Sequence, residues 1–136
     1  MAKFQFFHKP HKPLKLTRGK WVEPTFLVNG KSRKRFYADA SGTLEAVLYL
    51  PTEFDDGGPL ADLVRVRLVR GAWRKQPVDP TGYDERQLVA KDGVARVRFF
   101  YKGLADKGRT YCWQVMYLGD GSATITGNHY AQFWRR

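Results

Sequence analysis

Cysteine is nearly absent: Cys112 is the only one in 136 residues, which excludes an intramolecular disulfide and a multi-cysteine zinc site. Histidine is scarce as well. Only His8, His11 and His129 occur, so nucleophilic catalysis with a histidine base, or metal ligation by a histidine cluster, has few groups to draw on. No apolar run approaches the roughly 18 residues a membrane-crossing helix needs, and the first residues lack the apolar stretch of a secretory signal. The expected location is the cytoplasm or a virion, without signal-peptide secretion. Acidic residues are outnumbered, 13 against 24 Lys and Arg.

What is present is a chain that is 43% hydrophobic and 15% aromatic, too apolar and too ring-rich for a disordered polymer. Its length suits one domain with one core. The net charge of +11 is unevenly spread. Residues 1–36 carry ten cations (Lys3, Lys9, Lys12, Lys15, Arg18, Lys20, Lys31, Arg33, Lys34 and Arg35) against Glu23 alone, a net +9 that leaves +2 for residues 37–136. This pattern predicts a basic, extended N-terminal arm and lead-in over 1–36 and a nearly neutral domain over 37–136. The echo His8-Lys9-Pro10, His11-Lys12-Pro13 argues against helix, because each proline lacks a donor and biases the lysine before it toward extended geometry. Phe4, Phe6, Phe7 and Trp21 would be wasted in water, so the arm is expected to lie on a surface.

From residue 37 onward the dominant period is two, the signature of half-buried strands. Leu44, Ala46, Leu48 and Leu50 share one face of a strand that Pro51 ends. Val64, Val66 and Leu68 oppose Arg65 and Arg67, and Ala95, Val97, Phe99 and Tyr101 oppose Arg96 and Arg98. Each pair of arginines is expected on a solvated sheet face. A shorter strand is predicted over 86–90. Residues 111–118 carry large side chains at both parities, as a central strand does, and Gly119-Asp120-Gly121-Ser122 then predicts a hairpin to a returning strand with a bend at Gly127-Asn128. Six or seven such strands imply an all-β, antiparallel sandwich or barrel.

The run from Leu104 through Gly108, Tyr111, Trp113 and Val115 to Gly119-Asp120-Gly121-Ser122 resembles the corner, strand and hairpin of fibronectin type III and other immunoglobulin-like β-sandwich domains. It departs from that family in having Asp106-Lys107 where a proline usually precedes the glycine. The resemblance implies that Tyr111 anchors a tyrosine corner and that Trp113 and Val115 enter the core. Small modules of this architecture serve as capsid decoration, tail or baseplate parts in tailed bacteriophages, so it also implies a virion structural protein as one setting.

Catalytic chemistry is thinly represented. Cys112 lies mid-strand with no histidine nearby in sequence and is expected to be a buried structural thiol. His129 is expected to face solvent, and Asp55-Asp56 and Asp84-Glu85 to be ordinary loop carboxylates. No phosphate-binding glycine loop, nucleophile elbow or zinc-protease helix is present. A non-enzymatic role without cofactor or metal is therefore expected. The main expectation is an assembly protein, present in several copies, that contacts protein partners through Phe4, Phe6, Phe7, Lys9, Lys12, Lys15, Arg18, Lys20, Trp21, Lys31, Arg33, Lys34 and Arg35. The alternative is nucleic-acid binding by the same basic, aromatic segment, helped by the strand arginines. Attachment to an anionic membrane is a third and weaker reading.

Overall fold

The computed structural model describes residues 2–7, 13–28, 30–38, 41–71, 74–105, 107–127 and 129–135. In chain order the strands are β1 (Ala2–Phe7), β2 (Leu14–Thr17), β3 (Trp21–Val22), β4 (Phe26–Val28), β5 (Lys31–Arg33), β6 (Arg35–Tyr37), β7 (Gly42–Leu50) and β8 (Val64–Arg70). They continue as β9 (Gln76–Pro77), β10 (Arg86–Gln87), β11 (Val89–Lys91), β12 (Val94–Ala105), β13 (Thr110–Tyr117), β14 (Ser122–Ile125) and β15 (Tyr130–Arg135). A single 3-10 turn at Ala61–Leu63 is the only helical element among the described residues. A seven-stranded sheet runs β11-β12-β7-β15-β1-β4-β5. The second sheet runs β10-β8-β13-β3, with β6 also on β13 and β9 on β8, and β14 pairs with β2. All strand pairs are antiparallel.

Period-two alternation decides which face each long strand buries. Along β12, Ala95, Val97, Phe99 and Tyr101 are buried while Arg96, Arg98 and Phe100 are exposed. Leu44, Ala46, Leu48 and Leu50 of β7 and Ala131 and Phe133 of β15 are buried with them. From the second sheet Val64, Val66, Leu68, Tyr111, Trp113 and Val115 join the same cluster. Rings join the two sheets: Phe99 meets Trp113 at 5.7 Å between centroids, and Phe36 of β6 meets Phe133 at 4.3 Å. β13 is central, as expected, with β8 on one side and β3 and β6 on the other. The Tyr111 hydroxyl donates to the Leu104 carbonyl at 3.1 Å, and Tyr111, Trp113 and Val115 are all buried. The corner is thus closed by the side chain that the resemblance singled out.

Two expectations need correction. Residues 14–36 are not a strap lying apart from the domain: Leu14, Leu16, Phe26 and Phe36 are buried in the common core. Leu14 and Leu16 alternate with exposed Lys15 and Thr17, so β2 has an apolar face to bury, and Ala123 and Ile125 of β14 cover it. The Gly119–Gly121 turn, second, does not close a β13–β14 hairpin. β2 pairs with β14 and β3 pairs with β13, so the N-terminal segment passes between the two limbs. The Arg18 amide donates to the Gly121 carbonyl at 3.0 Å and the Gly19 amide to the Tyr117 carbonyl at 3.1 Å, which holds the turn open. After β14 the chain joins the seven-stranded sheet as β15. Asp55 fixes that corner, its Oδ1 accepting from the Thr126 amide and hydroxyl at 2.9 Å each while its own amide donates to the Thr124 carbonyl. It is a structural clamp rather than a free loop carboxylate.

Candidate functional site

The cations predicted for partner binding divide among several places. Lys9 and Lys12, with His8 and His11, lie outside the described residues. Phe4, Phe6 and Phe7 belong to β1, opposite Phe133, Ala131 and Tyr130 of β15. Lys15 and Lys20 are exposed, and Arg18 pairs with Asp120 across the open turn. Lys31, Arg33, Lys34 and Arg35 do come together. The β4–β5 hairpin turns at Gly30, whose φ of +77° suits the left-handed region that glycine reaches without penalty, and β5 is the sheet edge. All four cations are exposed, Lys31 and Arg33 on β5, Lys34 in the link and Arg35 on β6 of the second sheet; Tyr37 beside them is 59% exposed, and a shallow depression of about 550 Å³ lies between Thr25, Arg33, Arg35 and Tyr37. Lysine and arginine on an edge strand also discourage unwanted strand pairing.

Trp21 is engaged differently from the expectation. The Arg67 guanidinium lies 4.0 Å from the Trp21 ring centroid and 4.1 Å from that of Tyr83, a cation–π contact with each ring. Its Nε donates to Gln114 Oε1 at 2.8 Å, and Gln114 Nε2 donates to Glu23 Oε2 at 3.2 Å. Glu23 Oε2 also accepts from the Cys112 thiol at 3.4 Å and faces Lys75 Nζ at 3.4 Å. Arg67 is therefore a bolt across β3, β8 and the Tyr83 loop, not a free charge on a wet face. Burial would raise the Glu23 carboxyl, but the Gln114 amide, Lys75 and the Cys112 thiol outweigh it and hold the group below its ordinary value. Burial, with the Glu23 carboxylate beside it, pushes the Cys112 thiol up to about 12.

Cys112 should consequently behave as an inert thiol. Alkylation of the native chain is expected to run about a thousandfold or more slower than in denaturant, because it waits for opening. The thiol is the neutral form in the fold up to about pH 12 but ionises near 9.0 when unfolded. The unfolded state therefore binds fewer protons above pH 9, and folding stability falls as pH rises from about 9 to 12. Denaturant titrations across that window should show a steeper loss for the natural chain than for Cys112→Ala.

A second depression, of similar size, was not visible in sequence. It holds about 500 Å³ on the outward face of β7 and β12, between Glu45, Tyr49, Arg86, Lys91, Arg96 and Arg98. Glu45 is buried, and Arg98 meets its carboxylate through Nε at 2.6 Å and through Nη2. Arg86 is tied to Asp84 through Nε at 2.9 Å and reaches the Arg98 carbonyl at 2.6 Å. Asp84 also accepts from Tyr101 at 3.2 Å, and burial together with that carboxylate raises the Tyr101 phenol. Tyr49 and Tyr130 stack at 4.3 Å and 10° across β7 and β15. The i, i+2 spacing of Arg96 and Arg98 was the available signal; the pairing of Tyr49 with Tyr130 left none, since they are 81 positions apart in sequence.

No protein-family model matches the chain, and no curated protein matches it in sequence. His129 is buried rather than solvent-facing, edge-on to Phe26 at 5.5 Å between centroids. Among the described residues no three of His, Cys, Asp and Glu gather closely enough to hold a metal ion. No helix among them is long and apolar enough to cross a membrane.

Proposed function

We propose that the chain is a non-enzymatic β-sandwich module that docks on a larger, multi-subunit assembly through the basic surface of its N-terminal third. The observation that carries this is the run of Lys31, Arg33, Lys34 and Arg35, all exposed, along the edge strand β5 and its link into β6, beside an exposed tyrosine. The partner is an acidic protein surface rather than a second copy, because a chain of net +11 repels itself. Tyrosine and arginine are the side chains that contribute most where protein surfaces meet. An immunoglobulin-like or fibronectin type III-like sandwich is supported by the two sheets on one core and by the Tyr111–Leu104 corner. The arrangement departs from that family at its end, since β15 lies beside β7 instead of beside β13. A capsid, tail or baseplate position in a bacteriophage virion is the setting that suits such a module.

The test is the joint substitution of Lys31, Arg33, Lys34 and Arg35 by serine in the full chain. None of the four side chains is buried, so the melting temperature should hardly move. In extracts of its source treated with nuclease, the natural chain should sediment with a high-mass fraction and the variant near monomer size, having lost roughly tenfold or more in affinity. Sedimentation of the natural chain as a monomer would overturn the reading. Release by nuclease would transfer it to nucleic acid.

A further inference from the structure

The outward face of β12, β7 and β15 combines charge and flat rings in a way that the edge hairpin does not. Cross-strand register places Arg96, Tyr49 and Tyr130 in one row and Arg98, Val47 and Gln132 in the next. Exposed Phe100 follows on β12, opposite Glu45. Two of the cations are committed: Arg98 to Glu45 and Arg86 to Asp84. Arg96 and Lys91 are exposed and form no ion pair among the described residues. Tyr49 lies between Tyr130 and Arg96 in register, so its stack with Tyr130 occupies one ring face and the other faces β12. There it lines a depression of about 210 Å³ with Lys91, Val94 and Arg96, bordered by Asp92.

We infer that this face binds single-stranded nucleic acid, with a base stacked on Tyr49 and the backbone held by Arg96 and Lys91. A stacking platform flanked by uncompensated cations on a sheet is the arrangement that binds single strands with little regard to sequence. The paired Glu45 and Arg98 keep the floor of the groove rigid, and the Arg86 contact to the Arg98 carbonyl closes its side. An acidic peptide would satisfy the cations but leave the ring face unused. A duplex would present phosphates but keep its bases stacked internally. This surface and the β5 edge lie at opposite ends of the seven-stranded sheet, so the inference stands or falls separately from the docking role.

The experiment is fluorescence anisotropy of a labelled oligo(dT) of about fifteen nucleotides, titrated with the full chain over a salt series. Tyr49→Leu should weaken binding roughly 5- to 150-fold, the range for losing one stacked base, while Tyr49→Phe should keep it. Joint Lys91→Ala and Arg96→Ala should flatten the slope of log affinity against log salt by about 1.4, two single-strand phosphate contacts. Both of these side chains are exposed, so this variant decides the matter even if Tyr49→Leu loses its fold by circular dichroism. The inference fails if the salt slope is unchanged in that variant. It fails equally if poly-L-glutamate displaces the oligonucleotide at equal charge, or if substituting Lys31, Arg33, Lys34 and Arg35 alone abolishes binding.

Discussion

Residues 37–136, produced without the first 36, are expected to remain unfolded. The segment removed contains Leu14, Leu16, Phe26 and Phe36, each at most 6% exposed. Burying such side chains contributes about 1.5–3 kcal/mol apiece, so the four together are comparable to the whole net stability of a domain, about 5–15 kcal/mol. The loss continues beyond transfer. β14 is left without β2, β13 loses β3 and β6 along one edge, and Phe133 loses the ring of Phe36. Newly bared strand edges of this kind also invite aggregation. Far-UV circular dichroism and amide proton dispersion would decide the matter: a cooperative melt within a few degrees of the full chain would mean that the N-terminal strands add little.

Trp113→Ala should be the most damaging single substitution. Trp113 is fully buried between Phe36 and Phe99 on the central strand of its sheet. Truncating such a ring typically costs about 3–5 kcal/mol, which corresponds to about 10–20 °C in melting temperature for a chain of this size. Trp113→Phe should be far milder, below about 1.5 kcal/mol, for two reasons. A ring remains to meet its neighbours, and the indole Nε1, which has no hydrogen-bond partner among the described residues, is no longer carried into the core. Equal damage from the two substitutions in a calorimetric comparison would show that Nε1 makes a bond worth more than the ring volume.

The strand faces were legible because alternation is a local property. Leu44 to Leu50, Val64 to Leu68 and Ala95 to Tyr101 each bury the parity their apolar residues occupy. The corner role of Tyr111 and the core place of Trp113 came instead from the resemblance to fibronectin type III and immunoglobulin-like domains. Pairing was harder. The glycines and Asp120 supply a turn, but a turn does not oblige the strands on either side of it to pair. Leu14 and Leu16 needed cover, and β14 supplied it at the expense of a local hairpin. The basic segment was separated from the body by its charge, although a strand keeps cations such as Lys15 in water while Leu14 and Leu16 on its other face are buried. Mean charge cannot distinguish a two-faced strand from a free arm.

Taken by itself, the amino-acid order determines an all-β chain with two-faced strands, a buried thiol and an excess of positive charge in the first 36 residues. Each of these follows from side-chain chemistry at short range. Only the tertiary structure decided that residues 14–22 separate β13 from β14, that Trp21 and Tyr83 both contact Arg67, and that Tyr49 meets Tyr130 beside Arg96. The reason is that backbone amides and carbonyls are alike in every strand. Partner choice among strands distant in the chain is settled by which apolar faces can be covered together, and that is a property of the whole core.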